Sequence, residues 1–323
     1  WPPLWGPDTQ PEPSEPRKAR PLKLKLSTRR AIWAYAFLLV PLLFFLLVRI
    51  YPTLQSFQLS LSTWHVDPLQ REFVGLDYYE RMLNDGRLHQ AFRNTLYYAL
   101  LGVPALIIIG LTVAMLLHGL KNPFGRGLFR AIYFAPYVTP AVAVSWAWSL
   151  MLSPQLGIVN EILFSLGLPT QPFLNSPDTA LATVTGVVVW QYLGFQVILF
   201  LVGLEGIPRQ YYEAAAIDGA NGWSRFRFIT LPLLRPVLAL SIIIATASNS
   251  TGFLQLFTQV LNLNFSDPGG PLGSTLTIVL YMYQVAFNRF EFGYAAAITV
   301  VLFLIIMVIT VFQWTFLNKR VDY

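Results

Sequence analysis

Long apolar segments alternate with short polar or basic segments along almost the whole chain. A helix that crosses the hydrocarbon core of a bilayer needs about 20 mainly apolar residues. Each segment of that length predicts one membrane-spanning helix, and together they predict an all-α integral membrane protein with six transmembrane helices. The predicted spans are residues 32–51, 95–117, 131–152, 182–204, 237–261 and 294–316.

The segments between the predicted spans are more polar. Residues 52–93 have an amphipathic spacing that indicates short surface helices. Residues 276–290 predict one more short helix, on the outer side of the membrane. The first 30 residues are rich in proline and charge, so we expect a disordered basic tail there. The expected organisation is that tail over residues 1–30, a six-span domain over 31–318 and a short C-terminal tail over 319–323.

Composition and charge support a membrane protein. Of the 323 residues, 55% are hydrophobic and 12% are charged, whereas soluble domains carry about 25% charged residues. Seven of the basic residues lie between Arg17 and Arg30, immediately before the first span, and residues 131–208 contain no Lys or Arg. This distribution follows the positive-inside rule, which places both termini in the cytoplasm. It also argues against nucleic acid as the partner that the net charge of +6 could suggest.

The chain lacks the residues of a catalytic or ion-coupled protein. No Asp, Glu, Lys or His lies near the centre of a predicted span, although ion-driven pumps commonly use such residues. His65, His89 and His118 are scattered, and no phosphate loop ends in Gly-Lys-Ser or Gly-Lys-Thr. We therefore expect a non-catalytic chain without a metal site. Any uphill transport would be powered by another chain.

Two predicted spans carry polar and aromatic residues that could line a transport path. Neutral amides offer hydrogen bonds to a sugar, and aromatic rings offer a stacking surface. The same residue types also serve as contacts between helices in lipid, so both interpretations stand at this point. The candidate path residues are Gln191, Tyr192 and Phe195 in the fourth span and Asn249, Gly252, Phe253 and Leu256 in the fifth.

The segment between the fourth and fifth spans, residues 208–236, has a mixed charge that is unusual for this chain. Pro208 suits the first position of a helix, and Gly219 is expected to end that helix. A second short helix is predicted over 223–230, ending before Pro232. Helices this short are not stable alone in water, so they need a surface to pack on. Tyr212, Ala215, Ala216, Gly219 and Trp223 would form one face, and the nearby acidic Glu213 and Asp218 favour docking on a protein over lipid.

The stretch "EAAAIDGANGWSRFRFITLPLLRP" resembles the EAA loop of binding-protein-dependent ABC importer permeases. The stretch "FVGLDYYERMLND" is similar to the start of this family. The stretches "RAIYFAPYVTPAVAVSWAWSLM" and "GGPLGSTLTIVLYMYQVAF" are similar to its sugar-permease branch, the maltose-type first subunit. The resemblance covers nearly the whole chain after the N-terminal tail. The residues that match the EAA pattern at full spacing are Glu213, Ala214, Ala215, Gly219, Ile229, Leu231 and Pro232.

The resemblance implies a type I importer-like fold in which the EAA helices, including Asp218, are cytoplasmic coupling helices. They would seat in a cleft of an ATP-binding subunit, which holds the ATP and Mg, while this chain binds no cofactor. The implied partners are a second permease subunit, two ATP-binding subunits, an extracytoplasmic solute-binding protein, a sugar substrate and membrane lipid. The implied location is a bacterial or archaeal cell membrane.

One alternative remains for the transported compound and one for the class of transporter. Permeases of the same branch also carry glycerol-3-phosphate or glycerophosphodiesters, but an anion calls for a positive site that the predicted spans do not offer. An ion-coupled carrier is the second alternative, and the uncharged span centres argue against it.

Overall fold

The structure is a computed structural model that describes residues 28–64, 71–251 and 269–317. It is mostly helical, and in the described residues an isolated antiparallel bridge between Ser62 and Phe73 is the extent of β structure. The chain divides into two compact units, residues 1–53 and 54–323. In the first unit α1 (Thr28–Phe45) is followed by a π-helical turn, Leu46–Ile50; α2 (Tyr51–Leu59) comes next in the chain.

The second unit contains the remaining helices. The bounds in chain order are α3 (Asp77–Leu83), α4 (Gly86–Gly119), α5 (Pro123–Val138), α6 (Ala141–Met151), α7 (Ile158–Ser165), α8 (Pro177–Glu205), α9 (Arg209–Ile217), α10 (Gly222–Arg225), α11 (Leu231–Leu233), α12 (Arg235–Thr251), α13 (Ile278–Tyr283) and α14 (Phe292–Leu317). Turns of π-helix follow α10 (Phe226–Thr230) and α13 (Gln284–Asn288).

The described helices confirm the membrane class that the apolar pattern predicts. Four helical segments are long and apolar enough to cross a membrane: Trp33–Leu59, Gly86–Gly119, Pro177–Glu205 and Phe292–Thr315. Two bent pairs of helices bring the number of spans in the described residues to six, if each pair is one span. The predicted short outer helix at 276–290 is α13 with its π turn. The end of the predicted fifth span, residues 252–261, lies outside the described residues.

The third predicted span, 131–152, differs from the structure in two ways. It begins earlier, at Pro123, and it is two helices, α5 and α6, that meet at 97°. The break falls at Thr139–Pro140. A residue before proline is pushed into the extended region, and Thr139 has φ −71° and ψ 136° there. Pro140 is the residue before α6, where its missing N–H removes no helical hydrogen bond.

The core of the second unit lies along α8, which packs against α4 and α5. Leu111 and Ala114 of α4 meet Val197 and Phe200 of α8 in one buried cluster. The buried Gln196 amide donates to the Ser241 hydroxyl and ties α8 to α12. We call one end of the second unit the loop end: α4 and α8 end there, α5 begins there, and α9–α11 lie there. At the opposite end, α4 and α8 begin.

Candidate functional site

The first helix of the 208–236 segment, α9, ends as the sequence predicts. The Ala220 N–H donates to the Ala215 carbonyl oxygen at 2.9 Å, and the Gly219 N–H donates to the Ala216 carbonyl oxygen at 3.2 Å. This pair of bonds is the Schellman arrangement, which needs a left-handed residue after the helix. Gly219 has φ +73° and supplies it. At the other end, α9 begins at Arg209, so Pro208 is the residue before the helix and not its first position.

The second helix of the segment is longer than predicted. Asn221 caps α10 by accepting from the Ser224 N–H at 2.8 Å. The chain then continues through the π turn into α11, so the predicted end before Pro232 is wrong. Pro232 lies inside this continuous helical run, directly after the π turn. The helices Gly222–Leu233 and Arg235–Thr246 then meet at a bend of 68°.

The α9–α11 segment is anchored to the bundle on one side and exposed on the other. The Tyr212 hydroxyl and the Thr230 hydroxyl lie 2.9 Å apart, and Thr230 is buried. Leu234, at the end of the segment, is fully buried. The Tyr212–Thr230 contact joins α9 to the π turn of the same segment, and Tyr212 also packs against the buried cluster that contains Leu204 and Leu234. This packing places one side of α9 on the bundle.

The exposed side of α9–α11 combines acidic and large apolar residues. Of the predicted coupling residues, Glu213, Ala214, Asp218 and Gly219 are exposed, whereas Ala215, Ile229, Leu231 and Pro232 are half-buried. Ile217, Trp223 and Phe228 are 88%, 68% and 71% exposed. The predicted common face of Tyr212, Ala215, Ala216, Gly219 and Trp223 is divided, since Tyr212 and Ala215 turn toward the bundle while the other three are exposed. An exposed apolar group beside carboxylates is typical of a protein-docking surface.

The candidate path residue Gln191 lies in the middle of α8 at the break of the third span. It is buried, and its side-chain Nε2 donates to the Thr139 carbonyl oxygen at 3.3 Å. Thr139 lies where α5 stops, so the amide partners a carbonyl at the break. Gln191 Oε1 is buried and has no hydrogen-bond partner among the described residues. Gln191 thus acts as a contact between helices through one atom and retains one acceptor.

Four aromatic rings gather beside this break, and we call them the aromatic cluster. Tyr137 stacks on Phe195 with ring centroids 5.3 Å apart, and it meets Tyr192 edge-on at 5.8 Å. Phe134 completes the group, 5.3 Å from Tyr137. Tyr192 and Phe195 are candidate path residues, so the structure brings them together. The sequence interpretation missed Phe134 and Tyr137, although their spacing just before Thr-Pro is a signal for a shared helix face.

The candidates in the fifth span are only partly covered by the structure. Asn249 lies in α12, and its side chain is not described. Gly252, Phe253 and Leu256 lie outside the described residues, so their place in the path stays a prediction. Within the described part of the chain, no group of three or more His, Cys, Asp or Glu residues could hold a metal ion.

The bundle of apolar helices, with a broken span and an exposed helix pair at one end, has the architecture of a multi-pass membrane protein. Residues 95–323 match the family described as binding-protein-dependent transport system inner membrane component. The chain belongs to this family.

Three similar proteins are named as sugar permeases. The chain is 35% identical to the lactose transport system permease protein LacF of Rhizobium radiobacter, over 84% of this chain and 89% of LacF. It is 35% identical to the diacetylchitobiose uptake system permease protein NgcF of Streptomyces coelicolor, over 91% of this chain and 84% of NgcF. It is 32% identical to the trehalose/maltose transport system permease protein MalF of Thermococcus litoralis, over 90% of this chain and 95% of MalF.

A solved structure has the same fold. A chain of a bacterial ABC transporter that imports the acidic polysaccharide alginate matches with a TM-score of 0.75, covering 91% of this chain and 98% of that chain. The two sequences are 22% identical. This match confirms the predicted fold class of an ABC importer permease.

Proposed function

We propose that this chain is the permease subunit of an ATP-driven importer for a neutral sugar or oligosaccharide. The observation that carries the proposal is the α9–α11 segment, whose Tyr212 packs against the buried cluster around Leu204 and Leu234 while Glu213 and Asp218 stay exposed. Because one side of the segment packs on the bundle, a displacement of the segment would be transmitted to the spans. Its exposed side is available for docking on another protein.

The partner at this surface is an ATP-binding subunit. The exposed Ile217, Trp223 and Phe228 would fill an apolar cleft, and Glu213 would meet a basic group at its rim. The complete importer contains this chain, a second permease subunit, two ATP-binding subunits that hold ATP and Mg, and an extracytoplasmic solute-binding protein. In this arrangement the loop end faces the cytoplasm together with both termini.

A sugar is the cargo that the aromatic cluster and the relatives support. Tyr137 and Phe195 offer ring faces. Gln191 Oε1, which is buried and has no hydrogen-bond partner among the described residues, would accept from a sugar hydroxyl once the opened cavity exposes it. Lactose, diacetylchitobiose and trehalose/maltose are the cargoes in the names of the relatives. Transport would follow alternating access, in which ATP-driven closure of the ATP-binding subunits displaces the loop end and opens the cavity outward.

The cargo is tested by ATP hydrolysis of the complex reconstituted with its binding protein. Lactose, diacetylchitobiose, maltose and trehalose are compared with glycerol-3-phosphate and glycerophosphocholine. Stimulation by one neutral glycan supports the proposal, and stimulation by the phosphorylated compounds alone would replace sugar with an anionic cargo. Phe195→Ala should weaken the sugar response, whereas Phe164→Ala, an exposed ring on α7, should leave it unchanged.

The coupling role is tested by the double substitution Glu213→Ala with Gly219→Ala. We expect hydrolysis to lose its link to sugar uptake while the spans still fold and the complex still assembles. Normal uptake by the double variant would contradict the coupling role.

A further inference from the structure

Three residues that the sequence interpretation did not select form an ion-pair group at the loop end. Arg130 Nη2 of α5 donates to Glu205 Oε1 of α8 at 2.5 Å. Arg126 Nη1, one turn earlier on α5, lies 3.9 Å from the same oxygen. Arg126 also donates through Nη2 to the carbonyl oxygens of His118 and Leu120 at 3.0 and 2.7 Å. We call Glu205, Arg126 and Arg130 the clamp.

The clamp joins three elements at their ends. Arg126 and Arg130 lie in the first half of α5, Glu205 is the last residue of α8, and the carbonyl oxygens of His118 and Leu120 lie at the end of α4. Glu205 and Arg130 keep 43% and 36% of their side chains exposed. Ion pairs this exposed contribute little to stability, so replacing one partner of the clamp should leave the fold intact and change only how these helix ends are linked.

Glu205 stands at the junction with the coupling segment. Only Gly206, Ile207 and Pro208 separate it from the start of α9. Ile207 is buried in the same cluster as Leu234, which closes the segment at its far end. A displacement of α9 therefore reaches Glu205 through three residues, one of which is held in the core.

The helix α5 is attached to α8 at two further levels. At Gly194 the two backbones are so close that an added Cβ would overlap the Tyr133 carbonyl oxygen. Nearer the break, Gln191 binds the Thr139 carbonyl oxygen. With the clamp at its start, α5 is held along its whole length from the loop end to the break.

We propose that Glu205 is a positioning residue that, through Arg130, makes α5 follow the coupling segment, so that ATP-driven displacement reaches the break at Thr139–Pro140 and the aromatic cluster. The inference rests on the proposed function, because it needs an ATP-binding subunit at the loop end. The clamp touches neither the cargo nor the nucleotide and acts through α5.

The experiment measures movement at the break without a cargo. The chain contains no cysteine, so Thr139→Cys places a single thiol in this subunit at an exposed position of the break. Labelling of this chain by biotin-maleimide is compared in the full complex with and without ATP and vanadate. We expect Glu205→Gln and Arg130→Gln to abolish most of the ATP-dependent change in labelling rate, because each removes the link between α8 and the start of α5.

The matched control is the Arg81–Glu291 ion pair at the opposite end, with a 2.6 Å contact and side chains 45% and 35% exposed. Arg81→Gln removes a pair of similar exposure and should leave the labelling change intact. The double variant of Glu205 and Arg130 should show the same ATP-dependent change in labelling rate as either single variant, because both substitutions remove the same ion pair.

The outcomes separate the inference from the proposed function. A full labelling change in the Glu205→Gln and Arg130→Gln complexes would overturn the inference, and so would a Thr139→Cys complex that hydrolyses ATP without any change in labelling of the introduced thiol. If neither clamp variant assembles with its partners, the clamp is structural and the inference fails. A parent chain that binds no ATP-hydrolysing partner would contradict the proposed function itself.

Discussion

Gln191 Nε2 and the Thr139 carbonyl oxygen lie 3.3 Å apart, across 52 residues of sequence and at the point where the third span breaks. Irregular backbone within a membrane is tolerated where it is buried in protein or lines a cavity. Here the amide of α8 partners the carbonyl that the break leaves without a helical bond. The hydrogen bond from Gln191 of α8 therefore stabilises the break, and the geometry of the break depends on α8.

Replacing Gln191 by Leu should destabilise the complex. The change removes the donor to Thr139, and a hydrogen bond of this kind contributes about 1 kcal/mol. Thermal unfolding of the purified complex measures the effect. The control is Gln171→Leu, because Gln171 also donates to a backbone carbonyl oxygen at 3.3 Å, that of Pro169, but at an exposed position. Equal decreases in unfolding temperature in the two variants would contradict a stabilising role for the Gln191–Thr139 hydrogen bond.

Gly194→Ala should disrupt the packing of α5 on α8. The added Cβ would overlap the Tyr133 carbonyl oxygen, and backbone cannot yield as a flexible side chain can. Overpacking of this kind costs about 1–3 kcal/mol or more. The yield of assembled complex and its unfolding temperature measure the loss. Gly186→Ala on the same helix has no heavy atom within 4 Å of the added Cβ and should be tolerated; similar losses from both would argue against the close approach.

Gly219→Ala tests the turn between α9 and α10. The new Cβ meets nothing within 4 Å, so the cost comes from φ +73° alone. A left-handed conformation costs a residue with a Cβ about 1–2 kcal/mol. We expect weaker coupling of ATP hydrolysis to uptake in proteoliposomes. Gly222→Ala, also in open space but without positive φ, should couple normally. An unchanged ratio of uptake to hydrolysis in the Gly219 variant would contradict this prediction.

Asp85 should make the opposite end sensitive to acid. Its Oδ2 accepts from the Tyr281 and Tyr294 hydroxyls at 2.6 Å each, and its Oδ1 accepts from the Arg87 and Leu88 N–H groups. Burial raises the pKa of Asp85, but these four hydrogen bonds outweigh it and the pKa lies below the ordinary 3.8. The stabilisation is therefore present above pH 3.8 and is lost as the pH falls through the lower, folded-state pKa.

The variant Asp85→Asn checks this pH dependence. Asn can still cap α4, but it no longer offers a charged acceptor to the two tyrosines. Unfolding temperatures of the parent and the variant should differ near neutral pH and converge below pH 3.8. A constant difference across this range would show that Asp85 is not the group responsible.

The features that could be predicted from the amino-acid sequence are local ones. The spans can be predicted because each apolar run, as a helix, is long enough to cross the hydrocarbon core of a bilayer. The end of α9 is visible because the glycine at position 219 is the residue type that a left-handed turn favours. The motif around Glu213 predicted the family, and the family match confirms it. The coupling role that the motif also predicted stays a prediction.

The meeting of distant residues depends instead on how the helices pack. Glu205 and Arg130 are 75 residues apart, and no local pattern pairs that carboxylate with one arginine rather than another. Thr139–Pro140 carries a local signal for a break, but the 97° angle depends on what packs beside it. Tyr137 joins Phe195 because Gly194 lets α5 approach α8 closely. Helix ends follow from interactions within a few residues, whereas these contacts follow from the packing of whole helices.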